Sequence, residues 1–455
     1  SVDSMDYVSM NVICIAVNHG AAAWAKVQVV HVASSNVIVR IMAKLSKLEE
    51  IHELLPEKPC SNFCIAPFQS LRQNAYGKNS PCAFGAGEWL HGDLSPKERW
   101  ESDELNKMRL EFTNNERPSE CFRCWAEEDA GKESLRQRQF QYFPDDYDNL
   151  LKTGKWMDGP HTAVFKSSNV CNLACRSCGG WDSNTFAKEG KFYLEKYNTL
   201  GSNGKPHNRF IPLLPPKHMD FMQYKDISGN IEKIDFFGGE PFLNVSQLDL
   251  LEWLVEQGIS KNITLFYSTN CTNYPTERLK RAWNNFKRIE ISMSIDGIGD
   301  KFEYLRWPGK WEEVLNVIGH IKSLKTELDC DVYTMSALTV SLLNVFYVDE
   351  TIAWLNDNIG YTYVNMVNSP SYLSLNIMPD AIKTEVKKHV THSESVGYMD
   401  ISKHNPLLWK QFIIWAKRQD QYREQDFSKV FPDFFEIIKE DWEKVIDLSE
   451  ENFYN

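Results

Sequence analysis

The stretch TAVFKSSNVCNLACRSCGG, residues 162–180, joins an apolar run to three closely spaced cysteines and a pair of glycines. The β-branched and aromatic residues of its first part predict a strand. The thiols of Cys171, Cys175 and Cys178 follow that strand directly. Thiolates at this spacing indicate metal ligation, but three ligands leave a four-coordinate zinc site incomplete. They suit a four-iron cluster whose remaining iron is open to a substrate or cofactor.

The composition indicates a folded protein of two or three domains, with 455 residues, 42% of them hydrophobic, and a net charge of -12. This acidic balance argues against broad nucleic-acid binding, which needs clustered Lys and Arg. The 11 cysteines are unevenly grouped, which favours metal ligation in a reducing compartment and so a cytoplasmic location. The most apolar stretch is interrupted by His19 and Lys26, and no run reaches the roughly 20 residues of a membrane span.

Six short apolar runs alternate with helical segments from residue 161 onward, which predicts parallel βα units. Both an open doubly wound sheet and an incomplete barrel fit this pattern. The runs are TAVFKSS, IEKIDFFGGEPF, NITLFYSTNCT, FKRIEISMSIDG, CDVYTMSALTV and YTYVNMVNSP.

Polar residues stand where several of these strands end, as is typical of functional positions in α/β proteins. A Gly-Gly-Glu turn follows the second strand, and further polar residues end the third and fourth. They are Gly238, Gly239, Glu240, Ser268, Thr269, Asn270, Ser292, Ser294 and Asp296.

The three cysteines after a first strand and the Gly-Gly-Glu turn after a second resemble the radical SAM superfamily, over residues 161 to about 380. The resemblance implies a partial (β/α)6 TIM barrel. It implies a [4Fe-4S] cluster on Cys171, Cys175 and Cys178, with S-adenosylmethionine (SAM) on the open iron. Reductive cleavage of SAM would give a 5'-deoxyadenosyl radical that abstracts hydrogen from a substrate, and a flavodoxin or ferredoxin would supply the electron. A structural metal knuckle is the alternative.

The same resemblance implies a SAM site along the strand ends. The turn of Gly238, Gly239 and Glu240 would bind the amino group of the methionyl moiety, and the polar ends of the third and fourth strands would contact the ribose and carboxylate. These contacts would come from Ser268, Asn270, Ser292, Ser294 and Asp296. Arg306 is a candidate partner for the SAM carboxylate, because a guanidinium pairs with carboxylates bidentately. A surface salt bridge is the alternative for Arg306.

Four further cysteines, Cys64, Cys82, Cys121 and Cys124, precede this core. Their order resembles a twitch domain, a small relative of the SPASM domain that carries an auxiliary iron–sulfur cluster. The resemblance implies a second [4Fe-4S] cluster, and a zinc site with the same four ligands is the alternative. We expect residues 51–150 to depend on this metal for folding and to pack over the open end of the barrel, near the SAM pocket.

The remaining cysteines are expected to have other roles. Cys60 is near enough to replace Cys64, but it lacks the Pro-Phe that follows Cys64. Cys14, Cys271 and Cys330 are expected to be ordinary buried thiols.

The sequence therefore predicts four regions. They are an N-terminal extension or cloning-derived segment (1–41), a small α+β twitch domain (42–150), the radical SAM core (151–380) and a helical C-terminal region (381–455). The crossover of residues 186–218 is rich in Lys and Arg and is either a lid for an anionic group or a solvated charged face.

Two kinds of substrate fit an enzyme of this type: a peptide or protein, or a small molecule such as a sugar, nucleotide or lipid precursor. A non-catalytic iron–sulfur electron carrier or binding protein is the alternative. The polar strand ends argue against it, because a carrier needs no cofactor pocket. No residue stands out as a general acid, base or radical relay.

Overall fold

The computed structural model describes residues 48–77, 79–82, 94–129, 131, 133–142, 146–197, 218–400 and 404–448. The predicted extension at 1–41, with Cys14, lies outside the described residues. Contacts between residues group Ser46–Asn455 into one compact unit. The four predicted regions remain a prediction.

One eight-stranded sheet organises the described residues, in the spatial order β2-β1-β3-β4-β5-β6-β7-β8. Its strands are β1 Ser70–Asn74, β2 Asn79–Ser80, β3 Thr162–Lys166, β4 Lys233–Phe237, β5 Thr264–Thr269, β6 Arg288–Ser294, β7 Asp331–Val340 and β8 Thr362–Met366. Neighbouring strands from β3 to β8 all pair in parallel. β1 pairs in parallel with β3, and only β2 is antiparallel to its neighbour.

Helices precede, connect and follow these strands. The first group is α1 Leu48–Glu53, α2 Ala66–Gln69, α3 Pro96–Trp100, α4 Asp103–Thr113, α5 Phe122–Asp129, α6 Leu135–Tyr142 and α7 Asp146–Thr153. The connecting helices are α8 Asn184–Tyr197, α9 Gln247–Glu256, α10 Glu277–Trp283, α11 Asp300–Leu305, α12 Trp311–Glu327 and α13 Val348–Asn358. The last group is α14 Asp380–Val386, α15 Ser393–Asp400, α16 Pro406–Arg423, α17 Phe427–Val430 and α18 Pro432–Lys444.

The two faces of the sheet differ in chemistry because strand side chains alternate. One face is apolar and fully buried, with residues such as Phe236, Leu265 and Ile289. The other face carries polar residues, among them Asp235 and Glu290. A closed interior lined by such polar groups is costly unless it holds a ligand or water. The sheet therefore has a packed outer face and a polar concave face.

The structure confirms the predicted fold class. The six predicted strands are β3 to β8, and they lie in the order in which they occur along the chain. A doubly wound sheet reverses direction part-way, so the sequential order selects the partial barrel. The C-terminal region is helical, as predicted.

The region before the core combines helices with two strands, and β1 extends the barrel sheet itself. Ser70, the first residue of β1, lies opposite Thr162, the first residue of β3. Cys64 precedes α2 and β1, and Cys82 follows β2, which runs back along β1. Both cysteines therefore lie toward the amino ends of the parallel strands.

Candidate functional site

The three-cysteine loop lies at the carboxyl end of β3. Cys175 is buried, whereas Cys171 and Cys178 are half-buried. The backbone N–H of Cys178 donates to the carbonyl oxygen of Cys175 at 2.9 Å. A hydrogen bond to Cys175, together with burial, raises the pKa of the Cys178 thiol well above its ordinary value. Burial raises the pKa of the Cys171 thiol to about 12.

The three thiols lie in one space, since Cys178 interacts electrostatically with both Cys171 and Cys175. Three thiols are the donor set of a four-iron cluster with one open iron. Among the described residues, no group of three or more His, Cys, Asp or Glu side chains is arranged to hold a single ion. Because metals bind the thiolate, a metal bound here would displace the protons that these raised pKa values retain.

The Gly-Gly-Glu turn after β4 packs directly on this loop. Gly238 and Gly239 have φ angles of 81° and 60°, in the left-handed region. A Cβ atom on Gly239 would lie 2.4 Å from the carbonyl oxygen of Val170, the residue before Cys171. The N–H of Glu240 donates to that same oxygen at 2.8 Å. The absence of a side chain at Gly239 is therefore required for the contact between turn and loop.

Glu240 is fully buried and uses its carboxylate to tie the turn to the next strand. Its Oε1 accepts from the Thr269 hydroxyl at 2.8 Å and from the Phe242 N–H at 3.1 Å. Its Oε2 accepts from the Asn270 N–H at 2.7 Å. Burial raises the pKa of Glu240 to about 7, although these hydrogen bonds oppose the rise. The sequence resemblance predicts this residue at the SAM amino group; the hydrogen bonds that the structure gives its carboxylate are to Phe242, Thr269 and Asn270.

The ends of β5 and β6 continue the site. Asn270 donates from Nδ2 to the Asn172 Oδ1 at 3.0 Å and lies 3.7 Å from the Cys171 sulfur. The hydroxyls of Ser268 and Ser294 lie 3.4 Å apart on the concave face. Ser292 is buried on β6, which pairs with β5 on one side and with β7 on the other. The structure thus brings these strand ends to the cysteine loop.

Arg306 links Asp296 to the cysteines. Its Nη2 lies 2.9 Å from the Asp296 Oδ2, and its Nη1 lies 3.9 Å from the Cys175 sulfur. Asp296 also accepts from the Thr339 N–H at 2.9 Å. Both charged side chains are buried, so the alternative of a surface salt bridge is wrong. The Nε of Arg306 is buried and has no hydrogen-bond partner among the described residues.

The four N-terminal cysteines surround a second space. Cys64, Cys82, Cys121 and Cys124 line one cavity of about 370 Å³. Burial, followed by the charge of Cys82, raises the pKa of the Cys64 thiol well above its ordinary value. These four thiols also form no single-ion group among the described residues. Cys60 is not among the lining residues, and its thiol donates to the Phe112 carbonyl oxygen at 3.3 Å.

An open cavity of about 2050 Å³ adjoins the first, and Cys82, Leu135 and Gln139 line both. Its wall includes Thr162, Lys233 and Thr264, the first residues of β3, β4 and β5. The four cysteines therefore lie toward the amino ends of the strands, away from Cys171, Cys175 and Cys178 at the carboxyl ends. The expectation that residues 51–150 pack near the SAM pocket is wrong for the four cysteines, because the parallel pairing of β1 places them toward the amino ends of the strands. Tyr76 of the same region does reach the carboxyl ends, where its ring packs against Trp181.

Sequence reasoning missed the charged groups of this large cavity. Arg72, Asp235 and Glu290 lie in one row of paired residues across the sheet and line the cavity. Burial raises the pKa of Asp235 to about 6. The signal was present in the sequence KIDFF, where one acid interrupts the inward-facing positions of an apolar strand.

Other predicted positions have structural roles or lie outside the described residues. Cys271 is buried, as expected, whereas Cys330 is only half-buried. In the basic crossover, Glu189 is buried against Arg423, and Lys196 lies over the Phe192 ring. The crossover residues 198–217 are outside the described residues. No helix in the described ranges is long and apolar enough to cross a membrane.

Comparison with solved structures returns radical SAM enzymes. One is anSMEcpe with AdoMet and the Cp18Cys peptide bound, 14% identical over 58% of this chain and 61% of that chain, with a TM-score of 0.30. Streptococcus suis SuiB bound to the precursor peptide SuiA is 11% identical over 82% of this chain and 74% of that chain, with a TM-score of 0.29. TYW1 with a lysine-pyruvate adduct is 13% identical over 43% of this chain and 61% of that chain, with a TM-score of 0.24.

The match spans about three fifths of the anSMEcpe chain. TM-scores of 0.24 to 0.30 are too low to carry an argument about activity. No family model and no curated protein matches the chain. The function proposed below therefore follows from the residues and contacts of this chain.

Replacing Gly239 by Ala should displace the cysteine loop. The new Cβ would meet the Val170 oxygen, and the left-handed backbone would add about 1–2 kcal/mol of strain. Gly258 provides a matched control, because its φ of 73° imposes similar strain while nothing lies within 4 Å of its Cβ position. After anaerobic reconstitution, G239A should bind roughly half the iron of the wild type, whereas G258A should bind the full amount. Equal iron in both variants would show that the turn does not support the loop.

Glu240 should make stability depend on pH. Its folded pKa of about 7 lies above the ordinary value of 4.5, so the folded chain binds this proton more tightly than the unfolded chain. Its contribution to the free energy of unfolding is therefore largest below pH 4.5 and declines as pH rises through 7. E240Q, which does not titrate, should flatten the pH dependence of denaturant unfolding across this window. An unchanged slope would mean that Glu240 is ionised throughout.

Proposed function

We propose that this chain is a radical SAM enzyme. The three cysteines of the β3 loop would hold a [4Fe-4S] cluster, and the adjoining strand ends would hold SAM. When bound, the two would supply reductive cleavage of SAM and hydrogen abstraction from a substrate. The observation that carries this proposal is the continuous set of contacts joining the loop, the Gly-Gly-Glu turn and Arg306. Glu240 bonds both Val170 and Asn270, and Arg306 reaches Cys175.

The chain's own residues would position the cofactor. Cys171, Cys175 and Cys178 provide three ligands and leave one iron open. Gly238 and Gly239 carry no side chains, so the backbone of the turn could approach the cofactor closely. Glu240 would hold this backbone in place through its hydrogen bonds to Thr269 and Asn270. The Arg306 guanidinium has a free buried Nε, which suits an anionic group such as the SAM carboxylate. An electron carrier would not need these converging polar groups, so they favour an enzyme over the non-catalytic alternative.

We assign the four N-terminal cysteines to an auxiliary [4Fe-4S] cluster. They surround a common cavity and supply four thiolates, the ligand set of a closed cluster. Zinc takes the same ligand set, so the iron and zinc content of the protein decides between the two. The buried Arg136, which ion-pairs with Glu128 at 2.7 Å, also lines this cavity. The cluster would lie beside the large cavity rather than over the SAM pocket.

We propose a peptide or protein as the substrate, because enzymes with SPASM and twitch domains, which the N-terminal cysteines resemble, often modify peptides. The substrate would meet the cofactor at the carboxyl ends of the strands, where Cys171, Cys175 and Cys178 lie. The large cavity lies toward the amino ends, beside the auxiliary cysteines, and its wall carries both cations and acids, including Arg72, Asp235 and Glu290.

Reconstituted wild-type protein should contain about eight iron atoms per chain and should produce 5'-deoxyadenosine from SAM and reductant. Replacing Cys171, Cys175 and Cys178 by Ala should halve the iron and abolish the product. Replacing Cys121 and Cys124 should halve the iron and leave the SAM-binding cluster assembled. C60A is the matched control, since Cys60 lies near the auxiliary site without lining it, and it should bind the full amount.

Two outcomes would contradict these assignments separately. Four irons and one zinc per wild-type chain would overturn the auxiliary cluster alone. A fully loaded chain that binds SAM but yields no 5'-deoxyadenosine with reductant would contradict the assignment as a radical SAM enzyme. The substrate class is then tested by presenting peptides of mixed charge and small polar molecules to the loaded enzyme, with product formation as the readout.

A further inference from the structure

The C-terminal helix α16 reaches the centre of the cysteine loop through Arg423. The Nη2 of Arg423 donates to the carbonyl oxygen of Ala174 at 2.6 Å. That oxygen belongs to the peptide unit that carries the N–H of Cys175. The Arg423 Nε donates to Glu189 Oε1 at 3.0 Å, and both side chains are fully buried. Glu189 is held in turn by the Tyr193 hydroxyl at 2.9 Å. Arg423 therefore joins α16, α8 and the loop.

Arg176 makes the reverse connection, from the loop to the end of α16. It follows Cys175 directly, and its side chain is fully buried. Its Nη2 donates to Asp420 Oδ1 at 2.6 Å and to Gln425 Oε1 at 2.9 Å. Its guanidinium lies 3.5 Å from the centre of the Tyr304 ring. The residues on both sides of Cys175 are thus bound to the same C-terminal segment.

The opposite side of this loop is held by the backbone around Arg306. The N–H of Ala174 donates to the Trp307 carbonyl oxygen at 2.6 Å, and the N–H of Arg176 donates to the Leu305 carbonyl oxygen at 2.8 Å. Cys175 therefore sits between residues 305–307 and the end of α16. Arg306 and Arg423 come from these two sides.

Both of these arginines keep an unused buried donor. Arg306 Nε and Arg423 Nη1 have no hydrogen-bond partner among the described residues. A pair formed only for stability would satisfy these donors. The Arg306 guanidinium lies 3.9 Å from the Cys175 sulfur, whereas Arg423 reaches the loop through the Ala174 carbonyl oxygen.

We propose that Arg423 and Arg176 are positioning residues for the three-cysteine loop, so that α16 forms part of the cluster site. Without them, the segment around Cys175 would lose its bonds to the C-terminal segment. The loop would remain attached to residues 305–307, to the Gly-Gly-Glu turn, and through Cys171 and Leu173 to residues 183–185. The role of the cluster rests on the proposed function, whereas the positioning itself is a property of the metal-free chain.

Arg418 provides a matched control on the same helix. It is as buried as Arg423, but its Nε donates to the Leu448 carbonyl oxygen at 2.7 Å and its guanidinium lies over the Tyr197 ring. R423M and R418M each remove one buried guanidinium from α16. Only R423M removes a bond to the cysteine loop.

Hydrogen–deuterium exchange on the full-length, metal-free chain tests the positioning directly. In R423M, the amides of residues 174–178 should exchange at least about tenfold faster than in the wild type, with β6 unchanged. R418M should leave the exchange of residues 174–178 unchanged. Equal acceleration in both variants, or in neither, would overturn the proposal, because the helix would then act only through general packing.

The reconstituted protein provides a second readout. R423M should load less iron than R418M, or show an altered electron paramagnetic resonance spectrum of the reduced cluster. If R423M does not fold, E189Q is the alternative variant. It keeps the side-chain size but removes the charge that pairs with Arg423, so Arg423 should be held less firmly. Exchange at residues 174–178 should then be faster than in the wild type. Unchanged exchange in E189Q would then overturn the proposal. A chain that shows the predicted exchange but binds no iron would disprove the proposed function while leaving the positioning role intact.

Discussion

The buried carboxylate of Glu240 is the interaction on which the geometry of the site depends. It accepts hydrogen bonds from Thr269, Asn270 and Phe242, while its backbone N–H bonds the residue before Cys171. The side chain and backbone of this one residue therefore connect the ends of β3, β4 and β5. Since parallel strands end at a common edge, this tether converts three separate strand ends into one rigid surface.

A carboxylate in this position is costly because it is desolvated, as its pKa of about 7 indicates. Three donors offset much of that cost only while the strands keep their register. Loss of register would leave a buried charge unsatisfied, which is strongly destabilising. The same group thus stabilises the correct arrangement and penalises others. Arg306 and Asp296 form a second buried charged interaction at the site. Their ion pair links the end of β6 to Cys175.

Much of this could be predicted from the sequence, because the features involved are local. Short apolar runs between helical segments predicted β3 to β8, and the position of Cys171, Cys175 and Cys178 after the first run predicted a loop at a strand end. The position of the auxiliary cysteines could not be predicted, because it depends on the parallel pairing of β1. SLRQN is polar, with Leu71 its only buried apolar residue, so its sequence shows no strong strand pattern.

The role of the C-terminal helix was also beyond sequence reasoning. Arg176 and Asp420 are separated by 244 positions, and nothing in either local sequence pairs them. From the sequence, the arginines at the end of α16 would be placed at the surface, because charged residues are normally exposed. In the structure they are buried. Interactions of this kind depend on tertiary packing alone. The sequence therefore indicates the ligands, while the structure shows what holds them.

We propose that the β3 loop carries a cluster that binds SAM through an open iron. It is tested most directly in a C121A, C124A chain, in which this cluster alone should remain. The electron paramagnetic resonance spectrum of the reduced protein should show one [4Fe-4S] signal, and its g values should shift when SAM is added. A signal that is identical with and without SAM, at concentrations where SAM binding is measured independently, would contradict the account.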